Sequence, residues 1–103
     1  MLYLLDTANL ADIKYANEYY PLYGVTTNPS IIAKEKTEFL PHLMAIRNII
    51  GAEKMLCVQT MEKTAEGIVH DGEVLKEAIG GNFYLKVPIS EAGLKATDRK
   101  SVV

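Results

Sequence analysis

Several features that define whole classes of protein are missing from this sequence. The single cysteine, Cys57, excludes an intrachain disulfide, and no apolar run reaches the ~18 residues that a membrane helix needs. Eleven basic and thirteen acidic residues give a formal charge of −2, so the sequence indicates no basic surface for nucleic acid or anionic lipid. The amino terminus lacks the pattern of a signal peptide. We therefore expect a cytoplasmic protein without a nucleic-acid or membrane partner.

The motifs of common cofactor sites are also missing. No Walker loop and no glycine-rich dinucleotide fingerprint occurs. His42 and His70 lie 28 positions apart on predicted helices, and no cysteine or carboxylate stands near either at the spacing of a metal site. We interpret both as surface histidines of helices that need no function. The sequence predicts neither a metal nor a cofactor.

What is present is an alternation of strands and helices. Apolar segments rich in β-branched and aromatic residues predict strands near residues 2–6, 24–27, 54–60 and 83–87. A helical pattern follows each strand, with an N-cap residue available at Asn9, Thr37, Thr64 and Ser90. Strands that are apolar in their centres call for a parallel sheet covered by helices. The predicted class is α/β, in one piece, because no linker or low-complexity tract divides the chain.

Each predicted strand ends in a polar residue on the same face of the sheet. Side chains alternate across a strand, so residues of one parity share a face, and Leu5, Val25, Val58 and Leu85 are expected to face the helices. The opposite parity leads to five polar side chains at the carboxyl ends of the strands, where an α/β barrel carries its catalytic groups. If the strands curl, they converge on one rim: Asp6, Thr26, Asn28, Gln59 and Lys86.

Lys86 is the most informative of the five. It lies between Tyr84-Leu85 and Val87-Pro88, surroundings that are hard to reconcile with a solvated surface. Burial would disfavour the ammonium form and leave an amine able to attack a ketone carbonyl. The iminium that results accepts electrons from the adjacent carbon, so a carbon–carbon bond can break without a metal. An edge-strand lysine that deters aggregation is the alternative interpretation from composition alone.

The other four residues also have structural interpretations. Asp6 could be a turn carboxylate, or near Lys86 it could hold the amine and move protons. Asn28 could brace the turn before Pro29, or hydrogen-bond a substrate hydroxyl. Gln59 does not titrate, so it can position a water or hydroxyl without acting as a base.

Four segments together resemble the transaldolase family, and most closely its fructose-6-phosphate aldolase branch. In chain order they are Leu5-Asp6-Thr7, the stretch Gly24-Val25-Thr26-Thr27-Asn28-Pro29-Ser30-Ile31-Ile32, Thr64-Ala65-Glu66-Gly67, and Leu85-Lys86-Val87-Pro88. The Gly-Val-Thr-Thr-Asn-Pro-Ser stretch is highly specific. The resemblance covers residues 1–96, the first four β/α units of a parallel (β/α) barrel of the TIM type, and residues 97–103 form a tail that does not match.

The resemblance implies a function and a role for each rim residue. Lys86 would form a Schiff base with a ketose or dihydroxyacetone, Asp6 and Asn28 would contact substrate hydroxyls, and Thr26 would line the pocket. Transaldolases place glutamate where Gln59 stands, so Gln59 favours the aldolase branch. The implied reaction is the reversible cleavage of fructose 6-phosphate to dihydroxyacetone and glyceraldehyde 3-phosphate, without a cofactor. A full-length form is expected to be a homo-oligomer.

In the family, a catalytic tyrosine and the groups that bind the substrate phosphate come from later strands. These 103 residues do not include those strands. A truncated or frame-shifted gene product, inactive alone, is therefore the simplest interpretation, because four strands do not close a barrel of eight. A transaldolase of the pentose phosphate pathway is one alternative. A receiver-like signalling domain is another, but it needs an aspartate where Gln59 stands. A non-catalytic remnant that associates with full-length subunits is the third.

Overall fold

A computed structural model describes residues 3–87. The elements are β1 (Tyr3–Asp6), α1 (Leu10–Tyr19), β2 (Leu22–Thr27), α2 (Pro29–Ala33), α3 (Phe39–Ile50), β3 (Met55–Gln59), α4 (Ala65–Ile79) and β4 (Phe83–Lys86). The helix expected from Ser90 and the tail at 97–103 lie outside the described residues. None of the helices within 3–87 is long and apolar enough to cross a membrane.

The four strands form one parallel sheet in the order β1-β2-β3-β4. Each strand pairs with the next along the chain, and a helix makes each crossover, as in the first half of a TIM-type barrel. The sheet is open: within the described residues β1 and β4 each have one neighbouring strand. The expected α/β class and the partial barrel are confirmed.

The core lies between one face of the sheet and the helices. Val25, Val58 and Leu85 are at most 1% exposed and Leu5 is half-buried against the same core, whereas on the opposite face Leu4 is 56% exposed and Tyr84 is 41% exposed. The parity assignment made from the sequence is therefore correct. In α4 the buried residues recur at steps of three and four and form one apolar stripe: Ala65, Ile68, Gly72, Leu75 and Ile79.

Local hydrogen bonds explain where the helices begin. The side chain of Asn9 accepts from the backbone N–H of Asp12, and that of Thr64 accepts from Gly67, as expected of N-cap residues. The short helix α2 was not predicted, although its signals are present. Asn28 caps it by accepting from the N–H of Ile31, and Pro29 occupies its first position, where a missing N–H costs nothing.

Two expectations about α3 are wrong, the cap at Thr37 and the surface position of His42, and the contact between these two side chains is involved in both. Thr37 does not cap the helix; its N-cap is Glu38, whose side chain makes no capping hydrogen bond. The Thr37 hydroxyl contacts Nδ1 of His42 instead, at 2.7 Å. His42 is only 4% exposed, so it is not a surface histidine, whereas His70 is exposed as expected. A tertiary contact with Ala8, 34 residues away, takes priority over the local pattern.

Candidate active site

The five polar residues predicted for the rim line one cavity at the carboxyl end of the sheet. Its volume is about 290 Å³, and its walls also include two residues that the sequence interpretation did not assign to the site, Thr27 and Cys57. The predicted five are all there: Asp6, Thr26, Asn28, Gln59 and Lys86. All four strands therefore contribute to one site. The parallel register produces this arrangement, because Asp6 lies beside Thr26 and Gln59 beside Lys86.

Asp6 is held by its neighbour on the adjacent strand. The Thr26 hydroxyl donates a hydrogen bond of 2.8 Å to Oδ1 of Asp6. This contact fixes the carboxylate on the rim and leaves its second oxygen available to a ligand. Thr26 thus orients Asp6, a more specific contact than the pocket-lining position that the resemblance implied.

Asn28 uses its two amide atoms differently. Its Oδ1 accepts from the backbone N–H of Ile31 at 2.9 Å and caps α2. Its φ of −152° and ψ of 168° are extended, as expected for a residue before proline. Because the cap fixes the orientation of the amide, the Nδ2 group can act as a preset donor to a substrate oxygen. The two interpretations of Asn28, turn brace and substrate contact, are compatible.

Lys86 is exposed, contrary to the expectation of a buried amine. Its chain neighbours behave as predicted, with Leu85 buried and Val87 half-buried. The lysine side chain itself points to the opposite face, which no described element covers. Alternation along the strand explains the difference, since apolar sequence neighbours lie on the other side of the sheet.

Cys57 lies on the same face as Lys86, one strand away. Burial raises the pKa of the Cys57 thiol, and the positive charge of Lys86 partly offsets the rise. The thiol therefore stays protonated near neutral pH and acts as a small apolar wall of the cavity. Cys57 has the same parity as Gln59 on β3, so strand alternation alone was sufficient to include it in the site. Nothing in the sequence pattern singles out Thr27, whose buried hydroxyl has no partner among residues 3–87.

The described residues contain no cluster of three histidine, cysteine, aspartate or glutamate side chains close enough to hold a metal ion. The polar groups of the cavity are instead one amine, one carboxylate, two amides and two hydroxyls. This set can bind a polyhydroxylated compound, form a covalent bond to a carbonyl carbon and move a proton. It provides donors and acceptors for several hydroxyl groups at once.

Comparison with known proteins identifies the family of the chain. The family model described as transaldolase/fructose-6-phosphate aldolase matches residues 3–100. The chain belongs to this family. One relative, named "Probable transaldolase" in Geobacillus sp. (strain WCH70), is 43% identical over 96 residues. The match covers 93% of this chain and 44% of that relative, so the chain spans less than half of the relative's length.

Proposed function

We propose that this chain carries the Schiff-base lysine, Lys86, of a class I aldolase acting on fructose 6-phosphate. The observation that supports the proposal is the single cavity in which Lys86 and Asp6 meet hydroxyl and amide groups at the carboxyl rim of a family barrel. The reaction is the reversible cleavage of the ketose to dihydroxyacetone and glyceraldehyde 3-phosphate, and it uses no cofactor.

The proposed reaction begins when the neutral amine of Lys86 attacks the C2 carbonyl of the ketose. Loss of water gives an iminium ion. A base removes the proton of the C4 hydroxyl and the C3–C4 bond breaks. Its electron pair forms the C2=C3 double bond of an enamine, and the electrons of the C=N double bond return to the nitrogen. Glyceraldehyde 3-phosphate leaves. Protonation of the enamine at C3 and hydrolysis of the imine release dihydroxyacetone and regenerate the lysine.

The remaining groups have distinct proposed roles. Asp6 is the carboxylate that accepts and returns protons, oriented by the hydroxyl of Thr26. Asn28 donates from its amide nitrogen to a substrate hydroxyl. Gln59, next to Lys86 in register, positions a water or hydroxyl without accepting its proton.

Transaldolase activity is the second candidate, favoured by the name of the Geobacillus relative. It would transfer the dihydroxyacetone unit to an aldose in the pentose phosphate pathway. Gln59 favours the aldolase, because the resemblance puts glutamate at this position in transaldolases. We therefore expect Gln59→Glu to raise transfer to an added aldose relative to free dihydroxyacetone, measured by product analysis. An unchanged ratio would mean that position 59 does not decide between the two activities.

We further propose that the 103 residues alone have no aldolase activity. Lys86 is exposed and no element within residues 3–87 covers the face that carries it, so water competes for the polar groups of the site. The cytoplasmic location and a homo-oligomeric full-length form stay predictions from the sequence. A non-catalytic remnant that binds full-length subunits would also be inactive alone, and it differs from the proposal in the experiment that follows.

The experiment uses a completed barrel, in which residues 1–96 are fused to the remaining part of the Geobacillus relative. We expect it to cleave fructose 6-phosphate, with glyceraldehyde 3-phosphate detected by a coupled dehydrogenase. Lys86→Arg should abolish cleavage because arginine stays protonated, whereas Lys76→Arg, on the exposed side of α4, should not change it. A folded completed barrel without Lys86-dependent cleavage would refute the proposed aldolase.

A further inference from the structure

The loop that follows Asp6 is connected to a distant helix by one buried histidine. His42 lies in the first turn of α3, and its Nε2 contacts the backbone carbonyl of Ala8. Ala8 is 0% exposed and stands two residues after Asp6, between β1 and α1. The contact joins positions 34 residues apart, so it is a tertiary link and not part of a local turn.

The partners of the imidazole determine its hydrogen-bonding state. The carbonyl of Ala8 only accepts, so Nε2 must carry the hydrogen and donate. In the neutral ring Nδ1 is then an acceptor, and the hydroxyl of Thr37 donates to it at 2.7 Å. Both nitrogens are used, and the ring is buried. His42 is therefore fixed in the Nε2–H tautomer between the two partners.

The rest of the loop is held by hydrogen bonds that converge near Asp6. The backbone N–H of Thr7 donates to the carbonyl of Thr26, and that of Asn9 donates to the Thr7 hydroxyl at 3.2 Å. Thr26 in turn donates to Asp6. His42 completes this set by satisfying the buried carbonyl of Ala8, which would otherwise lose its hydrogen bond.

We propose that His42 is a positioning residue for Asp6. It fixes the β1–α1 loop through Ala8 and thereby holds the carboxylate of Asp6 in the cavity that Lys86 also lines. The importance of His42 for a reaction rests on the proposed aldolase function. The structural link itself does not, so the two can be tested separately.

The first test uses the 103-residue chain itself and needs no activity. Long-range ¹H–¹⁵N NMR spectra should find His42 in the Nε2–H tautomer. His42→Phe keeps a ring but removes the donor, and it should speed hydrogen exchange of the Thr7 and Asn9 amides about tenfold. The amide of Gly67 in the Thr64 cap should be unaffected. An Nδ1–H tautomer, or unchanged exchange in His42→Phe, would overturn the link.

Conservative variants separate the donor from the ring. A glutamine at this position presents its Nε2 group at nearly the same reach, so His42→Gln should restore slow exchange in the loop. His42→Asn is too short to reach Ala8 and should behave like His42→Phe. Met44→Gln is the matched control, since Met44 lies on the same helix with its side chain 48% exposed. Equal effects of His42→Gln and His42→Asn would contradict the proposal.

The second test asks whether the effect passes through Asp6. In the completed barrel, His42→Phe should lower kcat about tenfold while KM changes less, and His42→Gln should recover most of the loss. In an Asp6→Asn background, His42→Phe should have almost no further effect on kcat, because the group that it positions is already changed. A full tenfold loss in both backgrounds would show a general structural role and refute positioning. Absence of any cleavage in the completed barrel would refute the aldolase, while the exchange test still decides the link.

Discussion

The two ends of the parallel sheet use their polar side chains in opposite ways. At the amino end, Arg47 is buried and its guanidinium donates to three backbone carbonyls, those of Gly51, Lys54 and Asn82, at 2.7–2.9 Å. At the carboxyl end, Lys86 and Gln59 border an open cavity and Lys86 is exposed. The two terminal nitrogens of Arg47 are bonded to its own chain, although its Nε is buried without a partner among residues 3–87, whereas the amine of Lys86 is available to a ligand. The difference fits the proposal that the amino end serves stability and the carboxyl end carries the chemistry, the division typical of α/β barrels.

The largest loss of stability should come from removing the hydrogen bonds that Arg47 donates at the amino end of the sheet. Arg47→Met keeps the apolar stem but removes the donors, leaving three loop carbonyls without a charged partner. We expect a loss of about 2–4 kcal/mol in the free energy of unfolding, measured by urea denaturation of the completed barrel. Lys76→Met, which changes an exposed cation near the end of α4, should cost less than about 0.5 kcal/mol. Equal losses in the two variants would remove the contrast between the ends.

A smaller effect is expected from Gly81, which packs against the same arginine. Gly81 has a φ of +69°, and a Cβ placed there would lie 2.8 Å from the carbonyl oxygen of Ala52 and 3.0 Å from Cζ of Arg47. Gly81→Ala should therefore destabilise the protein by about 1–3 kcal/mol. Gly51→Ala is the control, because Gly51 also has a positive φ but has nothing within 4 Å of its Cβ position. If both variants lose the same stability, the backbone conformation matters and the contact with Arg47 does not.

The smallest effect concerns the electrostatics of the carboxyl end. Burial raises the pKa of the Cys57 thiol and Lys86 lowers it, so removing the lysine charge should raise that pKa further. The rate of iodoacetamide alkylation should rise with pH at a higher midpoint than for a solvated cysteine, and Lys86→Met should move the midpoint higher still. Because the thiol is buried in its neutral form, Cys57 contributes its full stabilisation of the folded state at any pH below the thiol pKa of the unfolded chain. That contribution falls as the pH rises through the raised pKa of the folded protein. A midpoint that moves down in Lys86→Met would contradict the arrangement.

The sequence predicts the carboxyl end better than the amino end, and the reason is physical. Alternation along four strands is sufficient to bring Asp6, Gln59 and Lys86 to one face, because parity and strand direction are local properties. The role of Arg47 depends on carbonyls up to 35 residues away, so the local sequence around it does not reveal its partners. His42 was misjudged for the same reason, since its acceptor is the carbonyl of Ala8.

The exposure of Lys86 marks the limit of local inference at the carboxyl end as well. The apolar residues around it in sequence indicate a buried strand, and Leu85 is indeed 1% exposed. Burial of the alternate face depends on elements that pack over the inside of the barrel, and these are not encoded in the strand itself. Because no element within residues 3–87 covers that face, Leu4 and Tyr84 are exposed on it as well.

The central claim, that the carboxyl end carries a reactive amine at Lys86, is tested most directly by trapping the imine. The completed barrel is incubated with dihydroxyacetone, reduced with borohydride, digested and mapped by peptide mass spectrometry. We expect one stable adduct, on Lys86, that disappears in Lys86→Arg and persists in Lys76→Arg. An adduct on another lysine, or none on a folded protein that still cleaves fructose 6-phosphate, would contradict it.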